Sequence, residues 1–162
     1  MKTLIIFFLG IIIAGTSFSQ VTSVSLQASG LTCSMCSNAI NKALKTLDFV
    51  EAVNPNIKTS TFEITFKPNN TVDFDKLKNK VEDAGFFVSK FLATVVFNNV
   101  QVRGNAPVTV GDKTFKFLNA DNISLNGEKQ IRLVDKGFVS AKEFKKNNLE
   151  TLSGEHVYHA TI

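Results

Sequence analysis

A chain of 162 residues is long enough for one domain of ordinary size or two small ones. Hydrophobic residues make up 44% of it and charged residues 20%, a composition that supports a packed core and argues against a disordered or low-complexity protein. The net charge of +4 comes from lysines mixed with acids rather than from a basic stripe, so nucleic acid is not an expected partner.

The first nineteen residues have the pattern of a secretory signal peptide. Lys2 precedes an apolar run of eleven residues from Leu4 to Ala14, and the small-residue stretch GTSFS follows it. The run is well short of the roughly 20 residues that a membrane-spanning helix needs, so we expect cleavage after Ser19 and no stable membrane span afterwards. Cleavage removes Lys2 and leaves 17 basic residues against 14 acidic ones, a net charge of +3. The sequence therefore predicts signal peptide 1–19 and an exported protein, periplasmic or secreted.

The next segments alternate between strand and helix patterns. VTSVSLQAS at 21–29 alternates apolar and polar residues, as a half-buried strand does. Apolar residues at helical spacing predict a helix from about Ser34 to Leu47. The segments FVEAVNPNI and TFEITFKP then predict two strands joined by a turn near Lys58 and Thr59.

A second helix and a closing strand complete this half of the chain. Asp73 is placed to cap the helix, Gly85 to end it, and FFVSKFLA predicts the strand that follows. The buried stripe of the helix is expected to consist of Phe74, Leu77, Val81 and Ala84. The order strand, helix, strand, strand, helix, strand predicts an α+β, ferredoxin-like βαββαβ domain over residues 20–92, with both helices on one face of the sheet.

The remainder, residues 93–162, has a different character. ATVVFNNVQV, NAPVTVGDKTFKFL, EKQIRLVD and GEHVYHATI have strand patterns separated by turn signals, and only SAKEFKKN has the pattern of a short helix. We expect a small β-rich domain, a sandwich or a barrel, whose function no motif identifies.

The chain's two cysteines, Cys33 and Cys36, are the candidate metal ligands. Cys36 falls in the first turn of the predicted helix, where free backbone N–H groups and the helix dipole favour a thiolate, and Cys33 precedes it in a loop. Two thiolates suit Cu(I) and also other thiophilic ions, namely Hg(II), Zn(II) and Cd(II). Because a closed zinc site needs four ligands, a pair of donors leaves coordination open and suits a carrier.

The loop GLTCSMC resembles the GMTCxxC loop of heavy-metal-associated domains, the fold of copper chaperones, mercury-scavenging periplasmic proteins and the N-terminal modules of metal-exporting P-type ATPases. VEDAGF, ending at Phe86, resembles the stretch that closes the second helix in that family. The likeness covers residues 21–92 only. It implies a non-enzymatic metal-binding protein whose partner is a metal-transporting ATPase or another metal-binding protein.

The resemblance also implies roles for single residues. Cys33 and Cys36 would bind the metal, Thr32 would shape the loop, and Phe86 would help to screen the site from solvent. Leu31 stands where the family has methionine, a nearly volume-conserving exchange that should leave binding intact. Neutral Thr32, in place of the carboxylate of zinc-favouring members, favours Cu(I), with Hg(II) next.

Two alternatives to metal binding remain at this point. In an oxidising compartment the cysteine pair can form a permanent structural disulfide, or it can act in thiol–disulfide redox chemistry. A thioredoxin-like enzyme is disfavoured because that fold has a tryptophan before its CxxC motif, and this chain has none.

Three other side chains carry expectations. Met35, between the two cysteines, offers a thioether, but an exposed or capping position is the favoured interpretation. His156 and His159 are three positions apart, which in a strand places them on opposite faces, so we expect ordinary surface histidines rather than a second metal site.

Overall fold

The structure is a computed structural model that describes residues 21–31, 33–104, 106–147 and 157–162. The predicted signal peptide, residues 1–19, lies outside these ranges. The described elements, in chain order, are β1 (Val21–Ser29), α1 (Ser34–Leu44), β2 (Val50–Asn56), β3 (Thr61–Phe66), α2 (Phe74–Asp83), β4 (Phe87–Val102), β5 (Val108–Val110), β6 (Lys113–Phe117), β7 (Ile123–Leu133), α3 (Ala141–Asn147) and β8 (Val157–Thr161).

The first six elements form the predicted ferredoxin-like arrangement. Their strands lie in the order β2-β3-β1-β4, and each neighbouring pair is antiparallel. The two helices bury their apolar stripes in the same core as the inward side chains of the sheet, among them Leu26 and Ile64. The fold predicted for this half is confirmed.

Local sequence signals set the ends of the helices. The Asp73 carboxylate accepts a hydrogen bond from the backbone N–H of Lys76 at 3.0 Å and so caps α2. Gly85 ends that helix with φ +87°, a conformation that glycine adopts without steric cost. α1 is shorter than predicted and stops at Leu44, although Leu47 still packs into the core from the turn that follows.

The sandwich or barrel that was expected for the second half is not confirmed. β4 runs for 16 residues, so the predicted boundary between residues 92 and 93 falls inside a strand. β7 pairs with β4 from Phe91 to Val102, and β8, β6 and β5 follow β7 outward. The described strands of both halves therefore form one eight-stranded sheet in the order β2-β3-β1-β4-β7-β8-β6-β5.

An aromatic cluster joins the two halves in one core. The ring of Phe74 on α2 lies 5.3 Å from Phe91 on β4 and 5.3 Å from Tyr158 on β8, measured between ring centroids. Phe138, in the loop after β7, packs edge-on against Phe91 at 5.1 Å and against Tyr158 at 5.9 Å. Because these residues are all buried, the second half covers apolar surface that α2 and β4 would otherwise expose to water.

Polar contacts reinforce the same junction. The Tyr158 hydroxyl donates a 2.8 Å hydrogen bond to the carboxylate of Asp75 on α2. Gly137 passes so close to α2 that a Cβ at this position would lie 2.8 Å from Cδ of Lys78, and its φ of +88° also requires glycine. The loop after β7 is thus fitted closely to one face of α2.

The prediction for His159 is wrong. Its side chain is only 4% exposed, and Nδ1 lies 2.7 Å from Oδ1 of Asp135, whose Oδ2 accepts the His159 backbone N–H at 2.7 Å. The physical reason is that β8 lies between β6 and β7, so this residue is in the interior of the sheet rather than at an edge. His156 lies outside the described residues.

Candidate metal centre

The two cysteines meet at the start of α1. Cys33 is the N-cap residue, with extended backbone angles of φ −151° and ψ 162°, and Cys36 lies in the first helical turn. Their sulfur atoms are 2.9 Å apart, and both are free thiols. Cys33 is exposed and Cys36 is half-buried. The structure therefore brings together the two side chains that the sequence singled out.

The start of the helix favours a negative charge on Cys33. The pKa of the Cys33 thiol is lowered from its ordinary value, first by the hydrogen bond with the Cys36 thiol and then by the backbone N–H groups of Cys36 and Met35. Partial desolvation opposes this effect but does not reverse it. Since the first turn of α1 carries no acidic residue, no neighbouring carboxylate in that turn counteracts the thiolate.

Residues around the loop hold it against the core. Leu31 is partly buried and packs on the hydrophobic core, as expected of an apolar residue that replaces the methionine of the family. Phe86, at the turn between α2 and β4, also packs there, and its Cδ1 would lie 3.9 Å from a Cβ built on Gly30. This position beside the loop is compatible with the screening role expected of Phe86. Thr32 lies outside the described residues.

Met35 points away from the core. It is 81% exposed, which agrees with the exposed position favoured from the sequence. Within the described residues, no group of three or more histidine, cysteine, aspartate and glutamate side chains is arranged to hold a metal ion. The candidate site of the described chain accordingly consists of two sulfur donors.

The spacing of the sulfur atoms shows what a bound ion would require. Metal–thiolate bonds are about 2.3 Å long, so two sulfurs on opposite sides of one ion stand roughly 4.6 Å apart. The observed 2.9 Å must therefore increase on binding. Cys33 is the ligand placed to move, because it precedes the helix and is exposed, whereas Cys36 is fixed within the first turn.

A ferredoxin-like fold that presents a free CxxC pair at the start of its first helix defines a metal-binding module. Residues 25–87 match the model of the heavy-metal-associated domain, and this part of the chain belongs to that family. The match lies within the residues 20–92 predicted for the domain.

Individual relatives resemble the same part of the chain. A copper-exporting P-type ATPase of Staphylococcus aureus is 33% identical over 69 residues, which are 43% of this chain and 8% of the ATPase. A probable copper-exporting P-type ATPase of Archaeoglobus fulgidus is 36% identical over 64 residues, 40% of this chain and 8% of that protein. A solved yeast copper transporter domain has 34% identity and a TM-score of 0.38, over 41% of this chain and 90% of the domain. The chain thus spans less than a tenth of the length of these curated relatives.

Sequence reasoning missed the polar contacts outside this loop. The pair His159 and Asp135, and the pair Tyr158 and Asp75, link residues 24 and 83 positions apart. No spacing or motif in the sequence signals such pairs, because they depend on where β8 enters the sheet.

Among the described residues, no helix combines the length and the apolar character needed to cross a membrane.

Proposed function

We propose that reduced Cys33 and Cys36 bind one Cu(I) ion, and that the protein is exported, periplasmic or secreted, and carries or scavenges this ion. The observation that carries the proposal is the pair of free sulfur atoms, 2.9 Å apart at the start of α1, with one of them exposed. Export itself is a proposal that depends on the signal pattern of residues 1–19.

The chemistry of the donors favours Cu(I) over the alternatives. Cu(I) is a soft ion that accepts two thiolates, whereas a closed Zn(II) site needs four ligands and the described chain offers two at this point. The lowered pKa of the Cys33 thiol favours the thiolate form, which is the form that binds a soft ion. The copper-exporting relatives support the same ion, and Hg(II), Zn(II) and Cd(II) become competitors to be tested.

Low coordination also supports release to a partner. An ion held by two sulfurs, one of them on the exposed Cys33, is open to a thiolate from a second protein, so the ion can pass by stepwise exchange of ligands. We propose that this partner is a metal-transporting ATPase or another metal-binding protein. The thiols lose their protons when the ion binds and regain them when it leaves, and the ion itself is passed on unchanged, so the proposed role is non-enzymatic.

An anaerobic titration of the reduced chain from Gln20 onward tests the proposal. We expect one Cu(I) per chain in competition with a coloured Cu(I) chelator, tighter retention of Cu(I) than of Zn(II), and loss of the site in the double variant Cys33→Ser, Cys36→Ser. The control variant Ser34→Ala changes an exposed residue of the same turn and should bind normally. Unchanged Cu(I) affinity in the double serine variant would refute the proposal.

The close approach of the sulfur atoms also favours one alternative, a disulfide-stabilised or redox protein. A disulfide requires the sulfurs to be about 2 Å apart, a small movement from 2.9 Å, and its formation transfers two electrons to an oxidant in the compartment. Titration of thiols in protein taken directly from that compartment separates the two functions. Two reactive thiols support the carrier, and a pair that resists mild reductant supports the disulfide.

A further inference from the structure

A cleft outside the metal loop has the form of a ligand site. It lies between α2, the start of β4 and the segment 136–145, which includes most of α3, and its volume is about 770 Å³. Ser29 and Phe87, which are the sequence neighbours of Gly30 and Phe86, also line it. Most of its wall comes from the second half of the chain, beyond residues 25–87, so the cleft is not a feature of the heavy-metal-associated domain alone.

The interior of this cleft is mainly apolar. Val88 and Val139 are buried at its base, Phe144 is half-buried in its wall, and Phe87 at the rim is 69% exposed. Large aromatic side chains are costly to leave in water, and a concave apolar surface of this size is typical of small-ligand sites.

Positive charge borders the apolar surface. Lys136 and Lys145 are exposed at the cleft and, within the described part of the chain, make no ion pair. Lys78 contributes its aliphatic stem, because its ammonium group bonds Asp75 at 2.8 Å and lies 5.2 Å from the Phe138 ring centroid. Glu82 is the one carboxylate of the lining, so the two unpaired lysines leave the rim with an excess of positive charge.

We propose that this cleft binds a small amphipathic anion, with an apolar body in the cleft and a carboxylate, sulfonate or phosphate group at Lys136 and Lys145. The inference does not depend on the proposed copper function. The volume lies within the roughly 300–1,000 Å³ of small-ligand sites. A peptide would bring backbone N–H and C=O groups against Val88, Val139 and Phe144, whose side chains cannot form hydrogen bonds with them, so an apolar chain fits this wall better.

Isothermal titration with decanoate tests the proposal on the reduced chain from Gln20 onward. We expect decanoate to bind with one site per chain, and decanol, which has the same apolar body without the charge, to bind about tenfold more weakly. Decanoate should shift the backbone amide signals of Val88, Val139 and Phe144 in ¹H–¹⁵N spectra, a readout that requires no variant.

Matched variants locate the site. The double variant Lys136→Gln, Lys145→Gln should weaken decanoate about tenfold and leave decanol unchanged. Ala141→Trp should weaken both by filling the cleft. Lys129→Gln, on an exposed stretch of β7 away from the cleft, should change neither.

Several outcomes would overturn this inference. Equal binding of decanol and decanoate would show that the negative charge does not contribute to binding. Amide shifts confined to residues outside the cleft would show that the ligand binds elsewhere. Binding of an alternating aspartate–leucine peptide, with no binding of decanoate, would mark the cleft as a protein-docking groove instead.

Discussion

Replacement of Phe138 by alanine tests whether the two halves of the chain fold as one unit. Phe138 is only 2% exposed, although it belongs to a loop, and its ring packs edge-on against Phe91 of β4 and Tyr158 of β8. The Lys78 ammonium also lies 5.2 Å from its centroid. The substitution therefore leaves a cavity at the junction and removes two aromatic pairs and one cation–π contact.

The expected cost is large on the scale of the whole protein. Phe→Ala in a core lowers the free energy of unfolding by about 3–5 kcal/mol, against a total of about 5–15 kcal/mol for a domain. For a chain of this length the melting temperature should fall by about 10 °C. The loss should appear as one shifted transition, because the cavity adjoins residues of both halves.

Urea unfolding with two probes provides the assay. Far-ultraviolet circular dichroism follows the whole chain, and Tyr158 fluorescence follows the junction, since the sequence has one tyrosine and no tryptophan. The control is Phe87→Ala, whose side chain is 69% exposed and should cost no more than about 0.5 kcal/mol. Two separate transitions in the unmodified chain, or a loss below about 1 kcal/mol for Phe138→Ala, would refute the shared core.

Three further predictions follow from single contacts. The pKa of the Cys33 thiol is lowered, so its alkylation should have a midpoint below that of an ordinary cysteine, and Cys36→Ala should move this midpoint upward because it removes the hydrogen bond that is the largest cause of the lowered pKa; an unchanged midpoint in Cys36→Ala would contradict this. The pKa of Tyr158 is raised above 10 by burial and by the Asp75 carboxylate, so the folded chain holds this proton more tightly than the unfolded chain. Its stabilisation is complete below pH 10 and is lost as the pH rises above 10, so urea unfolding should show a smaller loss above pH 10 in Tyr158→Phe. Gly137→Ala should cost about 2 kcal/mol and Gly85→Ala about 1 kcal/mol, because both have φ near +88° but only the first is crowded; equal unfolding free energies would show that crowding is unimportant.

The parts of the fold that the sequence predicted are those set by local signals. Asp73 and Gly85 cap and end α2 through contacts with their own helix, and the cysteine pair takes its chemistry from the first turn of α1. The sequence failed where partners are distant. Alternation of apolar residues continues across residues 92 and 93, but the change in composition there suggested a boundary, and nothing in the pattern of β4 indicates that β7 pairs with it from Phe91 to Val102. Burial of His159 likewise depends on the insertion of β8 between two other strands.

The contacts of the second half with the domain are mainly to α2 and β4, so we expect it to stabilise the domain with little effect on the sulfur pair. Its contacts reach α2 through Gly137 and Tyr158 and reach β4 through β7, whereas α1, which carries Cys36, is anchored by its own Ile40 and Leu44. Mutations at the junction and at the cysteines should therefore act nearly independently, as expected for sites that share no partner. Phe138→Ala should lower the urea midpoint and leave the Cu(I) affinity of the folded chain within about twofold of normal. A large change in that affinity would show that the junction also sets the geometry of the sulfur pair.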